Sequence, residues 1–312
     1  MVAGGVIGVF RKSFNTFDPR CGNSGLHECV RLSTRCRVRG NSPCYGKLPD
    51  ETEPGEHARR AFVVRVAPPD WKLPLDDLAA AFSHKTKLIL LNSPMNPAAK
   101  VFTRDELEFI AALALKHDAY VVCDEVYEHL AFDGRPHIPM ITLPGMRDRA
   151  VRVQSAGKIF SLTGWKIGMV SAAPELLTPI AKAHQFLTFT TPPNLQNAVA
   201  FGLAKDDAYF SDLGAAMQAK RDRFAAGLAR IGFGVIDCQG TYFITADIAP
   251  LGFDGDDTEF CRHITIEAGV TAVPVSAFYL DDGPAHFVCF CFAKREAVLD
   301  EAIARLGKSF SL

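Results

Sequence analysis

The sequence predicts an α/β protein with a mostly parallel sheet in a larger part, followed by a smaller α+β C-terminal part. Three observations carry this. From residue 61 onward, strand-like and helix-like segments alternate. The strand-like runs are almost continuously apolar, as strands covered on both faces are. Near Pro192 the alternation gives way to a long helical stretch and then to clustered strands and helices. A chain of 312 residues holds one large or two ordinary domains.

The elements follow in order. Residues 62–66 read as a strand and 75–82 as a short helix. Residues 87–92 form an apolar run that ends in Asn and Pro, a buried strand entering a loop. Thr103-Arg104-Asp105-Glu106 is a capping box. Leu107, Ile110, Ala111, Ala114 and Leu115 continue it at helical spacing. Residues 119–123, 150–154 and 167–172 read as strands, and 174–186 as a helix. A helical stretch over 194–231 leads to strands at 235–238 and 242–247. Residues 258–268 read as helix, 270–274 and 286–292 as strands, and 295–306 as a closing helix. The division is an atypical N-terminal segment at 1–60, a large part at 61–200 and a small one at 201–312. Residues 1–60 hold four of the nine cysteines and a basic run at 31–39. They show no useful periodicity, and the expectation is loose order.

Composition excludes several classes of function. A net charge of −1 leaves no basic footprint for nucleic acid or an acidic membrane. No apolar run reaches the roughly 18 residues a membrane span requires. Arg11 and Lys12 follow the first apolar stretch, whereas a secretory signal places its charges ahead. An odd number of cysteines in a chain of this size reads as reduced thiols in a cytoplasmic protein. Cys123, Cys289 and Cys291 lie in strand-like runs and read as small hydrophobes. Cys21, Cys29, Cys36 and Cys44 lack paired CxxC spacing, so no metal is expected.

The chemistry concentrates after three predicted strands, where ligands bind in open α/β sheets. The segment from Ser155 to Gly168 sets Lys158 in a small-residue loop, with Ser155 before it and Lys166 after it. A desolvated lysine near another cation condenses with an aldehyde, so Lys158 suits a Schiff base to an aldehyde cofactor that also carries a phosphate. Ser155 and Lys166 offer a hydroxyl and a point charge for that phosphate. Asp124 ends an apolar strand, where a carboxylate needs a partner. A protonated pyridine nitrogen is one; a helix cap or loop amides are another. Tyr127 and Asn96 offer groups for a ring oxygen. Taken alone, Asn96-Pro97 is an ordinary turn, and only the combination lifts it.

Three segments in this order resemble the class I/II aminotransferases, the fold type I pyridoxal-phosphate superfamily, and kynurenine/glutamine and methionine aminotransferase-like enzymes most of all. They are Asn92-Ser93-Pro94-Met95-Asn96-Pro97, Cys123-Asp124-Glu125-Val126-Tyr127 and the stretch from Ser155 to Gly168. Gly240-Thr241-Tyr242-Phe243, the run from Pro274 to Tyr279, and Phe290-Cys291-Phe292-Ala293 agree further on. The resemblance runs from about Phe62 to about Leu306. It implies pyridoxal 5'-phosphate linked to Lys158, which also moves the proton at the substrate Cα. It implies Asp124 at the pyridine nitrogen, Asn96 and Tyr127 at the ring oxygen, and Ser155 and Lys166 at the phosphate. It also implies amino-acid and 2-oxo-acid substrates and a homodimer with active sites at the subunit interface.

The chain departs from the family pattern in places. The arginine that fixes the substrate carboxylate is replaced by Cys289, which offers neither the charge nor the paired hydrogen bonds. Arg295 is near in sequence but is expected to point elsewhere. The phosphate-cradling helix start has only an echo in Asn23-Ser24-Gly25, and Tyr45 is a weak candidate for the ring-stacking aromatic. Residues 1–60 differ from the family as a shifted reading frame or a replaced segment would. Gln154 and Ala99 stand where glycines are common, and Ala99 is expected to avoid positive φ. Trp165, Phe278 and Tyr279 either line an apolar pocket for aromatic or sulfur-containing substrates or serve as core. The readings are an aminotransferase (with β-lyase chemistry as a variant), a cofactor-binding relative impaired by Cys289, and a non-enzymatic truncated paralogue.

Overall fold

The computed structural model describes residues 2–4, 64, 66–279 and 283–310. Most of the strand expected at 62–66 lies outside them, as do Cys21, Cys29, Cys36, Cys44, Asn23-Ser24-Gly25 and Tyr45. Val64 and Val66 are buried but belong to no regular element.

The first sheet comprises β1 (Val2–Gly4), β2 (Leu88–Asn92), β3 (Tyr120–Asp124), β4 (Ala150–Ser155) and β5 (Ile167–Ser171). Their order is β1-β5-β4-β3-β2. β2, β3 and β4 run parallel, whereas β5 is antiparallel to β4 and β1 is antiparallel to β5. The expected mostly parallel sheet is present in β2, β3 and β4, with an antiparallel edge formed by β5 and β1. The reason is length. Only residues 156–166 lie between β4 and β5, and a parallel crossover needs about a dozen residues or more. Those residues form the short helix α3 (Ala156–Ile159) and a 3₁₀ turn at Thr163–Trp165.

Helices α1 (Leu75–Ala81) and α2 (Arg104–Lys116) cover one face of this sheet. The capping box forms as predicted: Glu106 N donates to Thr103 Oγ1 at 3.2 Å, and Thr103 N donates to Glu106 Oε2 at 2.9 Å. Leu107, Ile110, Ala111, Leu113 and Ala114 are buried against Ile89, Leu91, Val121 and Cys123. Leu115, expected on that stripe, is 44% exposed, and Leu113 takes the core position. Among the described residues the opposite face is thinly covered. There Leu88, Val122 and Val151 meet half-buried Leu176 and Ile180 of α4 (Pro174–Leu187), a helix with no fully buried residue among those described. Among the described residues, the expected cover on both faces is complete on only one.

The helical stretch expected over 194–231 is two helices, α5 (Pro193–Leu203) and α6 (Asp207–Ile231). Asp206 breaks it with extended backbone at φ −60°, ψ 152°; aspartate favours such a helix start. The expected boundary at residue 201 falls inside α5. The second sheet holds β6 (Gly234–Val235), β7 (Phe243–Asp247), β8 (Val273–Pro274) and β9 (Phe287–Cys291). It is antiparallel throughout, in the order β6-β7-β9-β8. Helices α7 (Asp257–Glu267) and α8 (Glu296–Ser309) pack on it.

Aromatic rings fill this second core. Phe233 meets Phe260 and Phe290 edge-on, with centroids 5.9 and 5.8 Å apart. Such pairs add to the gain from area burial alone. The same core takes in Ala99, Tyr127, Leu130 and Phe132 from the loops of the first sheet. Arg221 of α6 clamps that junction. It donates to both Asp133 carboxylate oxygens, at 2.6 and 2.8 Å, and to the Cys238 carbonyl at 2.8 Å. These bonds hold the Asp133 carboxyl below the usual carboxylate range. Burial pushes the Cys123 thiol well up, and those of Cys238 and Cys261 to about 12, as inert core thiols require.

Candidate active site

The carboxyl ends of β2, β3 and β4 lie side by side because the strands pair in register, Asn92 with Asp124 and Asp124 with Val153. Asn92 ties two of the loops together. Its amide Nδ2 donates to the Asp124 carbonyl at 2.9 Å, and its Oδ1 accepts from Asn96 N at 2.8 Å. Asn96 is thereby aimed across the strand ends, and its Nδ2 donates to the Tyr127 hydroxyl at 3.3 Å. The two residues expected at one ring oxygen therefore meet. Asp124 is half-buried, and its Oδ1 accepts from Val126 N at 3.3 Å.

Lys158 projects from α3 into a box of two phenols. Its Nζ lies 2.5 Å from the Tyr242 hydroxyl. It also lies 5.4 Å from the ring centre of Tyr127 and 5.1 Å from that of Tyr242. The two rings are perpendicular, 5.1 Å apart. Ser155 ends β4 opposite Gly168, which brings the Lys166 end of β5 beside it. Lys166 is exposed, with φ 55°, and the two side chains share no hydrogen bond.

A buried ion cluster braces the segment that carries Asp124 and Tyr127. Glu125 is 2% exposed. Its Oε2 accepts from Arg152 Nε at 2.5 Å and lies 3.0 Å from His137 Nε2, while Oε1 accepts from Met140 N at 3.2 Å. Arg152 also pairs with Glu128. Gln154 Nε2 donates to Glu128 Oε1 at 2.6 Å. The residue that replaces a common glycine thus makes a bond of its own.

The segment Gln239-Gly240-Thr241-Tyr242 closes the site from the C-terminal half. Gln239 N donates to the Ala99 carbonyl at 3.0 Å, Phe132 N to the Gln239 carbonyl at 2.9 Å, and Thr241 N to the Leu130 carbonyl at 2.8 Å. A Cβ on Gly240 would lie 2.6 Å from the Leu130 carbonyl oxygen and 3.0 Å from Pro94 Cβ. Only glycine fits that approach. Ala99 corrects an expectation: its φ is +58°. The turn explains this, since Ala99 N donates to the Met95 carbonyl at 2.7 Å while its own carbonyl accepts from Gln239. Those bonds hold alanine in a region it enters at a cost.

Cys289 is buried in β9, paired with Thr245 of β7 and Val273 of β8. The Thr245 hydroxyl is buried and makes no hydrogen bond among the described residues. Arg295 is exposed and occupies the cap position at the start of α8. Trp165 is exposed, Phe278 is half-buried, and the Tyr279 hydroxyl donates to the Val66 carbonyl at 3.0 Å.

The donor set fits pyridoxal phosphate. A lysine amine suits its aldehyde, a phenol and an amide suit its ring oxygen, and a strand-end carboxylate suits its ring nitrogen. Gly157 keeps the Lys158 turn tight: a Cβ there would lie 2.9 Å from Thr163 Cα. Sequence reasoning missed Asn92 as the tie between loops, Arg152 with Glu125 as the brace, and Tyr242 as the partner of Lys158. The signal for Tyr242 was its place in Gly240-Thr241-Tyr242-Phe243, to which no role was attached.

Comparison with known proteins points to one family. The probable N-succinyldiaminopimelate aminotransferase DapC of Mycobacterium tuberculosis (strain H37Rv) is 42% identical over 244 residues, covering 75% of this chain and 61% of that protein. A kynurenine–oxoglutarate transaminase of Dictyostelium discoideum is 41% identical over 260 residues, covering 76% of this chain and 60% of that protein. The crystal structure of YbdL from Escherichia coli, in which a methionine aminotransferase function was identified, superposes with a TM-score of 0.76 at 34% identity. That match covers 80% of this chain and 65% of YbdL. The chain therefore spans about three fifths of the length of these curated relatives. The family match covers residues 25–306, so it begins ahead of the expected start near Phe62. With that match and the shared fold type I architecture, the chain belongs to the class I and II aminotransferases, a family of pyridoxal-phosphate enzymes.

Proposed function

We propose that this chain is an aminotransferase that uses pyridoxal phosphate to move an amino group between an amino acid and a 2-oxo acid. The observation that carries this is the convergence of Lys158 Nζ, the Tyr127 ring and the Asn96 amide beside the strand end of Asp124. When bound, the cofactor supplies an electron sink for negative charge at the substrate Cα. Lys158 would be the amine that holds the aldehyde and that takes and returns the proton at the substrate Cα. Asp124 would pair its carboxylate with the ring nitrogen. Tyr127 and Asn96 would orient the ring through its oxygen, and Ser155 and Lys166 would hold the phosphate. The substrates are amino acids with aromatic, sulfur-containing or glutamine-like side chains. The same reading makes the protein a cytoplasmic homodimer. Residues 61–200 then bind the cofactor, and 201–312 form a smaller domain. No described helix is long and apolar enough to cross a membrane.

Absorbance tests the proposal. Protein mixed with pyridoxal phosphate and desalted is expected to keep a yellow band that Lys158→Ala abolishes; a colourless wild-type protein overturns the reading. Adding methionine, kynurenine or glutamine is expected to shift the band. Cys289→Arg is expected to raise kcat/KM by about tenfold or more, since a buried guanidinium–carboxylate contact is worth about 2–5 kcal/mol. No gain would place carboxylate recognition elsewhere.

A further inference from the structure

We propose that Tyr242 is a positioning residue for Lys158. Its hydroxyl holds the lysine amine in a resting place whenever the amine is not in covalent use. The inference rests on the aminotransferase reading and adds a residue to that site.

Two observations carry it. The first is the contact itself. Nζ and the phenol oxygen are 2.5 Å apart, and the amine sits between two perpendicular rings. The two aromatic faces flank the amine, and the hydroxyl fixes its direction. Whichever group donates, the bond occupies the amine. An ammonium that donates to the phenol oxygen has no lone pair to offer, and an amine that accepts from the phenol has its lone pair engaged.

The second observation is how rigidly Tyr242 is held. Thr241, just before it, is fully buried with φ +67°. For a β-branched residue this backbone is rare, and it persists only where the surroundings over-determine it. They do so here. Thr241 N is bonded to the Leu130 carbonyl, Thr241 Oγ1 accepts from Phe243 N at 3.2 Å, and the Tyr242 carbonyl accepts from Phe292 N at 3.0 Å. The backbone is bent where it delivers the phenol to the amine. Core packing alone gives no reason for a hydroxyl at that point.

Trace acetylation tests this on the cofactor-free protein. Acetic anhydride is applied briefly at fixed pH, and labelling is read site by site by peptide mass mapping. Exposed Lys116 and Lys182 serve as internal references. Tyr242→Phe keeps the ring and removes the hydroxyl. It is expected to raise labelling of Lys158 relative to the references by about three- to tenfold, the worth of one ordinary hydrogen bond. Unchanged relative labelling overturns the proposal. Should Tyr242→Phe fail to fold, Tyr242→Leu carries the same test with the same expected direction. The labelling stands apart from the aminotransferase reading. A protein that links pyridoxal phosphate through Lys158 but shows no labelling change keeps that reading and loses this one. A protein that shows the labelling change but never turns yellow keeps the contact and loses the aminotransferase reading.

Discussion

At the carboxyl ends of β2, β3 and β4 the structure is joined by directed polar bonds. Asn92 ties Asn96 to Asp124, Arg152 bridges Glu125 and Glu128, and Lys158 meets Tyr242. Behind β9 the chain is held by rings on rings, with Phe224, Phe233, Phe260 and Phe290 in edge contact. The two regions fail differently. In the polar wall, loss of one partner strands a charge or a donor away from water. In the aromatic core, loss of a side chain leaves a cavity and strands nothing. The wall therefore couples residues one to another, whereas the core contributes burial that is spread over many contacts.

That contrast can be broken by mutation. The largest effect is expected from Phe260→Ala, which deletes a fully buried ring and should lower stability by about 3–5 kcal/mol in chemical denaturation. Acetylation of Lys158 under native conditions should not change. A labelling shift that tracked the stability loss would mean the core and the wall act as one unit. Next comes Arg152→Met, which leaves Glu125 buried without its cation and should cost about 3 kcal/mol. Adding Glu125→Gln should recover at least about 1 kcal/mol of the summed loss in a double-mutant cycle. Strict additivity would remove the distinction between wall and core. The smallest effect is expected at Ala99→Gly. Relief of the positive φ should outweigh the extra flexibility of the unfolded chain by about 0.5 kcal/mol and raise the Tm slightly. An unchanged or lower Tm would show that the turn is not strained.

Much of the fold was legible because its signals are local. The Thr103–Glu106 box and the apolar runs at 88–92, 120–124 and 150–155 announce themselves within a few residues. So did the order of Asn96, Asp124, Tyr127 and Lys158 along the chain, which a sheet of parallel strands converts into neighbourhood. What stayed hidden depends on distance or on competing geometry. Tyr242 lies 84 residues from Lys158, and no period links them. Arg152 reads as a plain strand residue and Gln154 as a replaced glycine because their partners, Glu125 and Glu128, lie just beyond the end of another strand. The antiparallel turn of β5 followed from a short connection whose length was visible but whose consequence was overlooked. The conformation of Ala99 is dictated by Gln239, a contact the sequence around residue 99 does not announce.

Gly240 has a consequence for how this protein can vary. Its missing side chain is the space in which the Leu130 carbonyl and Pro94 approach each other. Any larger residue would act as a wedge, spreading the loop that bears Asn96 from the loop that bears Tyr127. A single hydrogen atom at position 240 thus sets the width of the gap between two loops drawn from distant parts of the chain, and mutational drift can widen it but cannot narrow it.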